Sequence, residues 1–112
     1  YAGSVASVGQ VTAEILIDRF RFRRITPQTA IFGLTGAPIS HSVSPAMHNA
    51  ACAATGVDAV YLPFPATDAD DFLALAEALG IAGASITIPY KVPLFERADA
   101  VDDTARATGA IN

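Results

Sequence analysis

Three short apolar runs, at residues 30–34, 59–64 and 84–88, alternate along this chain with three stretches of helical character. Gly or Pro punctuates the junctions: Gly36, Pro45, Gly56, Pro65, Gly80 and Pro89. A two-residue turn can join antiparallel strands, but parallel neighbours need a crossover of a dozen or more residues, usually a helix. Strand, helix, strand, helix, strand, helix therefore predicts an α/β fold, a three-layer α/β/α sandwich around a mainly parallel sheet.

The residues of each segment support that order. Residues 30–34 carry no charge and suit a buried parallel strand. Residues 45–55 are Ala-rich, with Ser44 expected as N-cap, Pro45 in the first turn and Gly56 past the end. Pro63 cannot donate to a ladder, so it assigns the second strand to a sheet edge. Residues 67–79 place Asp68, Asp70 and Asp71 in a first turn, where negative charge complements the helix dipole. Phe72, Leu75, Ala76 and Leu79 then form one apolar stripe, and Gly80 ends it. A third helix is expected after Lys91, with Pro93 in its opening turn. A shorter helix over 12–20, with Thr12 as N-cap, precedes all of these. Residues 1–26 read as the tail of a preceding domain and a linker, and 27–112 as the main domain. Opening at Tyr1 rather than Met, the chain reads as a piece of a longer protein.

Composition narrows the function. Hydrophobic residues make up 52% and charged ones 16%, which excludes disorder. A net charge of −4 argues against nucleic acid and membrane surfaces as partners. No apolar run approaches the roughly 18 residues of a membrane span. One cysteine excludes an intramolecular disulfide, and nothing has the spacing of a metal site, so a cytoplasmic, metal-free domain is expected. Cys52, inside the Ala-rich helix, reads as a small core residue, and His41 and His48 as surface histidines. The cluster Arg19, Arg21, Arg23 and Arg24 reads as a solvated face.

Open parallel sheets bind ligands beyond the carboxyl ends of their strands. Two clusters fall there. In His41-Ser42-Val43-Ser44-Pro45, two hydroxyls at i and i+2 sit at a helix N-terminus, a seat for a carboxylate or phosphate. Alternatively, Ser44 only caps its helix and Ser42 only turns the loop. The second cluster is Ser85-Ile86-Thr87-Ile88-Pro89-Tyr90-Lys91, in which alternation puts Ser85 and Thr87 on one face. Lys91 is the only lysine and stands where the dipole of the following helix opposes a cation. A local rule broken at a strand end is where function is expected. An exposed lysine at a loop tip is the alternative. No G-x-G-x-x-G occurs, so a nicotinamide cofactor would have to be bound outside this chain.

These clusters carry a resemblance. Phe32-Gly33-Leu34-Thr35-Gly36-Ala37-Pro38, His41-Ser42-Val43-Ser44-Pro45-Ala46-Met47-His48-Asn49, Gly83-Ala84-Ser85-Ile86-Thr87-Ile88-Pro89-Tyr90-Lys91 and Gly109-Ala110-Ile111-Asn112 resemble the N-terminal, substrate-binding domain of shikimate dehydrogenase. The resemblance implies NADPH-dependent reduction of 3-dehydroshikimate to shikimate. It implies that Ser42 and Ser44 hold the substrate carboxylate, that Thr87 and Asn112 bond the ring hydroxyls, and that Lys91 is catalytic, transferring a proton at the C3 oxygen. It also implies that NADP is bound by a C-terminal Rossmann domain, and that the carboxylate partner of Lys91, an Asp, follows Asn112 in sequence. The family usually has Asn where this chain has Ser85. The Ser-x-Ser pair favours shikimate over quinate. Residues 6–10, Ala-Ser-Val-Gly-Gln, partly resemble the closing segment of type I 3-dehydroquinate dehydratase, which suggests a dehydratase–dehydrogenase fusion. A non-catalytic shikimate- or quinate-sensing domain is the rival reading; it needs the carboxylate seat but not a proton-transfer lysine.

Overall fold

The structure, a computed structural model, describes residues 11–112. The dehydratase-like stretch at 6–10 lies outside the described residues. Strands β1 (Ala30–Thr35), β2 (Ala59–Pro63) and β3 (Gly83–Ile86) form one sheet in the order β2-β1-β3. Both pairings are parallel, with Phe32 opposite Tyr61 on one side and Gly83 on the other. Pro63 does lie on an edge strand, where its missing N–H costs no ladder bond.

Helices α1 (Ser44–Thr55), α2 (Ala69–Leu79) and α3 (Lys91–Arg97) follow the three strands in turn. One sheet face carries Ile31, Leu62, Ala84 and Ile86, packed against Ala69 and Phe72 of α2 and Leu94 of α3 to form the main core. Removing the Phe72 ring from it would cost about 3–5 kcal/mol. On the opposite face, reached by strand alternation, the Tyr61 ring stacks on His48 of α1 at 4.3 Å between centroids. The result is the expected three-layer α/β/α arrangement.

The edge of β2 is closed by a side chain. Asn49 of α1 donates to the Tyr61 carbonyl (2.8 Å) and accepts from the Tyr61 N–H (2.9 Å), so its carboxamide acts as one residue of a further strand. An unpaired edge is otherwise open to other chains.

Local boundaries depart from the sequence pattern in five places. At α1 the cap position falls on Val43, and Ser42 Oγ, not Ser44, accepts a helical N–H, that of Ser44 (3.2 Å). At α2 Asp68, expected inside the first turn, is the cap, accepting from Asp71 N–H at 2.8 Å, while the Asp71 carboxylate accepts from Thr67 N–H. Strand β3 ends at Ile86: Thr87 N–H still gives the next ladder bond to Thr35 C=O, but Ala37 N–H then reaches Ile88 C=O, out of register, before cis-Pro89. The helix expected over 12–20 is capped by Thr12 as foreseen (3.3 Å to Ile15 N–H), but Ile15–Arg19 is wound as a π-helical turn. A fourth helix, α4 (Asp103–Thr108), was not foreseen; Asp102 caps it and Gly109 ends it at φ +68°.

Candidate functional site

The loop after β1 and the turn after β3 meet above the carboxyl ends of these two strands. They enclose a cavity of about 440 Å³ whose walls include Ser42, Ser44, Thr87, Lys91 and Asn112. All five residues singled out from the sequence are therefore brought together. Leu34, Pro38, Ile39 and Ile86 supply apolar wall. His41 and Ser85 also line the cavity, neither of them among the five.

Each polar group is held by backbone geometry. Ser42 sits in a turn closed by its N–H on Ile39 C=O (3.1 Å), and its hydroxyl accepts from Ser44 N–H. Among the described residues the Ser44 hydroxyl has no hydrogen-bond partner, so it is free for a ligand. Lys91 opens α3, directly after the turn in which Tyr90 N–H reaches Thr87 C=O (3.1 Å). The segment after α4 returns to it: Ile111 N–H donates to Lys91 C=O (3.0 Å), and the Ile111 side chain packs on the core. Asn112 is thereby placed so that its Oδ1 accepts from the Lys91 ammonium.

One cation, several hydroxyls and a carboxamide line this cavity, and no carboxylate does. Such a surface attracts an anion and can bond several oxygens of a compact polyhydroxylated ligand. The described ion pair, Asp70 with Arg97, lies outside the cavity wall; hydrogen bonding from Arg97 holds the Asp70 carboxyl below its ordinary value. His48 stacks on Tyr61 away from the cavity, and Cys52 is half-buried beside a second groove rather than fully in the core.

Residues 34–112 match the shikimate dehydrogenase substrate binding domain family. The chain belongs to this family. The bifunctional 3-dehydroquinate dehydratase/shikimate dehydrogenase of Arabidopsis thaliana is 37% identical over 99% of the chain and 18% of its own length. The shikimate dehydrogenase (NADP(+)) of Synechococcus is 45% identical over 80% of the chain and 32% of its own length. The shikimate 5-dehydrogenase of Listeria monocytogenes, solved in complex with shikimate and NAD, superposes with a TM-score of 0.72 at 36% identity. That match covers 80% of this chain and 32% of the other. The chain thus spans about a third or less of the relatives it matches.

The substrate-binding domain offers no dinucleotide seat among the described residues. A phosphate cradle of that kind runs from a strand through a glycine turn directly into a helix N-terminus. Here β1 ends at Thr35, the chain passes through Gly36 and cis-Pro38, and α1 begins only at Ser44, whose N–H the Ser42 hydroxyl occupies. This connection does not fit the pyrophosphate of NADP.

Proposed function

We propose that this chain is the substrate-binding and catalytic-lysine domain of an NADP-dependent shikimate dehydrogenase, acting between 3-dehydroshikimate and shikimate. The observation that carries the reading is the meeting of Ser42, Ser44, Thr87, Lys91 and Asn112 around one cavity with a single positive charge. Ser42 and Ser44 take the substrate carboxylate, Thr87 and Asn112 its ring hydroxyls, and Lys91 the proton at the reacting oxygen. NADP belongs to a C-terminal Rossmann domain of the same protein, the chain's principal partner. Residues 27–112 are the domain proper and 1–26 a tail and linker. A fusion to a dehydratase is supported by the Arabidopsis relative, which matches nearly the whole chain where the Synechococcus one matches 80%. We assign the protein to the cytoplasm.

The rival, a shikimate- or quinate-sensing regulator, is disfavoured by the half-buried lysine held against Asn112, which a carboxylate sensor does not require. The test is oxidation of shikimate by the complete protein with NADP+, followed as NADPH absorbance. Turnover that is lost in Lys91→Ala supports the enzyme. Shikimate binding without turnover in the unaltered protein overturns it in favour of the sensor.

A further inference from the structure

Tyr61 stands on the edge strand β2, outside the cavity wall, yet its phenol reaches Ser85, which lines both the cavity and the second groove beside Tyr61. Its hydroxyl donates to Ser85 Oγ at 3.0 Å. Between them lies β1, so the ring must cross the face of the central strand to reach β3. In register, Tyr61 faces Phe32, whereas Ser85 faces Leu34, so the phenol also climbs towards the carboxyl ends of the strands.

The ring is not free to do otherwise. Tyr61 is 6% exposed, and His48 stacks on it with planes 18° apart. Its backbone is fixed at both polar groups by Asn49. Ser85, by contrast, is an exposed residue on a four-residue strand, and it lines the same cavity as Ser42, Ser44 and Lys91. A serine hydroxyl has one proton and two acceptor sites. With the more acidic phenol as the donor of this pair, the Ser85 proton is left for another acceptor, and the cavity lies beside it.

We infer that Tyr61 is a positioning residue: clamped between His48 and the sheet, it holds Ser85 as a hydrogen-bond donor to an acceptor oxygen of the ligand in the cavity. This rests on the proposed substrate-binding reading and deepens it. Ser85 touches the ligand and Tyr61 acts only through it. A short side chain thus gains reach and direction from a residue 24 positions earlier.

The test is a double-mutant cycle in the complete enzyme with shikimate as the probe. Tyr61→Phe keeps the ring, the stack on His48 and the packing, and removes only the donor. KM for shikimate should rise about 3- to 10-fold, the loss of one ordered hydrogen bond, with kcat changing less than about 2-fold. Ser85→Ala should raise KM at least as much, and the double variant should be no worse than Ser85→Ala alone, because Tyr61 has nothing left to orient. A purely structural tyrosine would lower Tm and leave KM unmoved, which overturns the inference. Full additivity of the two changes overturns it as well. Ser42→Ala and Ser44→Ala run alongside: if they weaken shikimate binding and Tyr61→Phe does not, the inference falls while the binding site stands. If none of these variants affects KM, both fall.

Discussion

A β-carbon on Gly36 would lie 2.2 Å from the Thr87 methyl carbon and 2.8 Å from the Ile88 carbonyl oxygen. The end of β1 and the turn after β3 therefore approach more closely than any side chain at 36 permits. Gly36 also holds φ +151°, which L residues rarely adopt. Thr87 is β-branched and stiff about its first torsion, so fixing its methyl against Gly36 also fixes its hydroxyl, beside the cavity.

Gly36→Ala should consequently cost about 1–3 kcal/mol of stability through strain and overpacking. It should also raise KM for shikimate in the complete enzyme, since Thr87 must turn or retreat. Adding Thr87→Ser, which deletes the clashing methyl and keeps the hydroxyl, should recover part of the stability. Urea denaturation and steady-state kinetics check both halves. A Gly36→Ala protein equal to the parent in stability and KM would refute the close approach.

The two serines of the proposed carboxylate seat should separate under mutation. Ser42 Oγ is engaged by Ser44 N–H, so Ser42→Ala should lose about 0.5–2 kcal/mol of stability as a lost cap. Ser44 bears no such duty. Ser44→Ala should leave Tm nearly unchanged while weakening shikimate binding by about 1.5–3 kcal/mol, the worth of a hydrogen bond to a charged group. Thermal melts with and without shikimate distinguish them. The opposite pattern, with Ser44→Ala melting early, would show that the capping role belongs to Ser44.

Much of this was legible in sequence because it is written in local chemistry. The alternation of strands and helices follows from apolar runs and Gly/Pro punctuation, and Pro63 by itself announces an edge. Motif residues at strand ends were placed together because a parallel sheet brings all carboxyl ends to one side. What escaped was of two kinds. Helix α4 is under two turns long, too short for periodicity to register, although Asp102 and Gly109 marked its ends. The contacts of Asn49 and Tyr61 are long-range: an Asn inside an Ala-rich helix gives no signal that it pairs with an edge strand. The cap that the pattern puts at Ser44 falls on Val43, with Ser42 Oγ on the Ser44 N–H, because only the backbone path decides which of two nearby hydroxyls meets a free N–H.

Asn49 should prove the most sensitive polar residue outside the cavity. It is 3% exposed and also donates to Pro45 C=O at 2.8 Å, so every polar atom of its carboxamide is used. Asn49→Ala should cost about 2–4 kcal/mol by leaving both polar groups of Tyr61 without their partner. Asn49→Asp should not rescue it, because a carboxylate would face the carbonyls of Pro45 and Tyr61 with no proton to give. Urea denaturation measures both. An Asn49→Asp protein as stable as the parent would contradict the assigned hydrogen bonds.

Lys91 carries the chemistry in the proposed reaction. It is the sole cation of the cavity wall, tied at its carbonyl to Ile111 and at its ammonium to Asn112. If it moves a proton at the substrate's reacting oxygen, its contribution is largest in the transition state. Lys91→Ala in the complete enzyme should then lower kcat by about 10²–10⁴-fold, the range of general acid–base catalysis. KM should move much less, since Ser42, Ser44, Thr87 and Asn112 still hold the ligand. Lys91→Arg should fail as well, because a guanidinium keeps its proton at neutral pH and cannot accept one. A lysine that only binds gives the inverse pattern: KM rises, kcat survives and Arg substitutes. Steady-state kinetics on the two variants decide between these roles, and a Lys91→Arg enzyme with near-normal kcat would end the case for proton transfer.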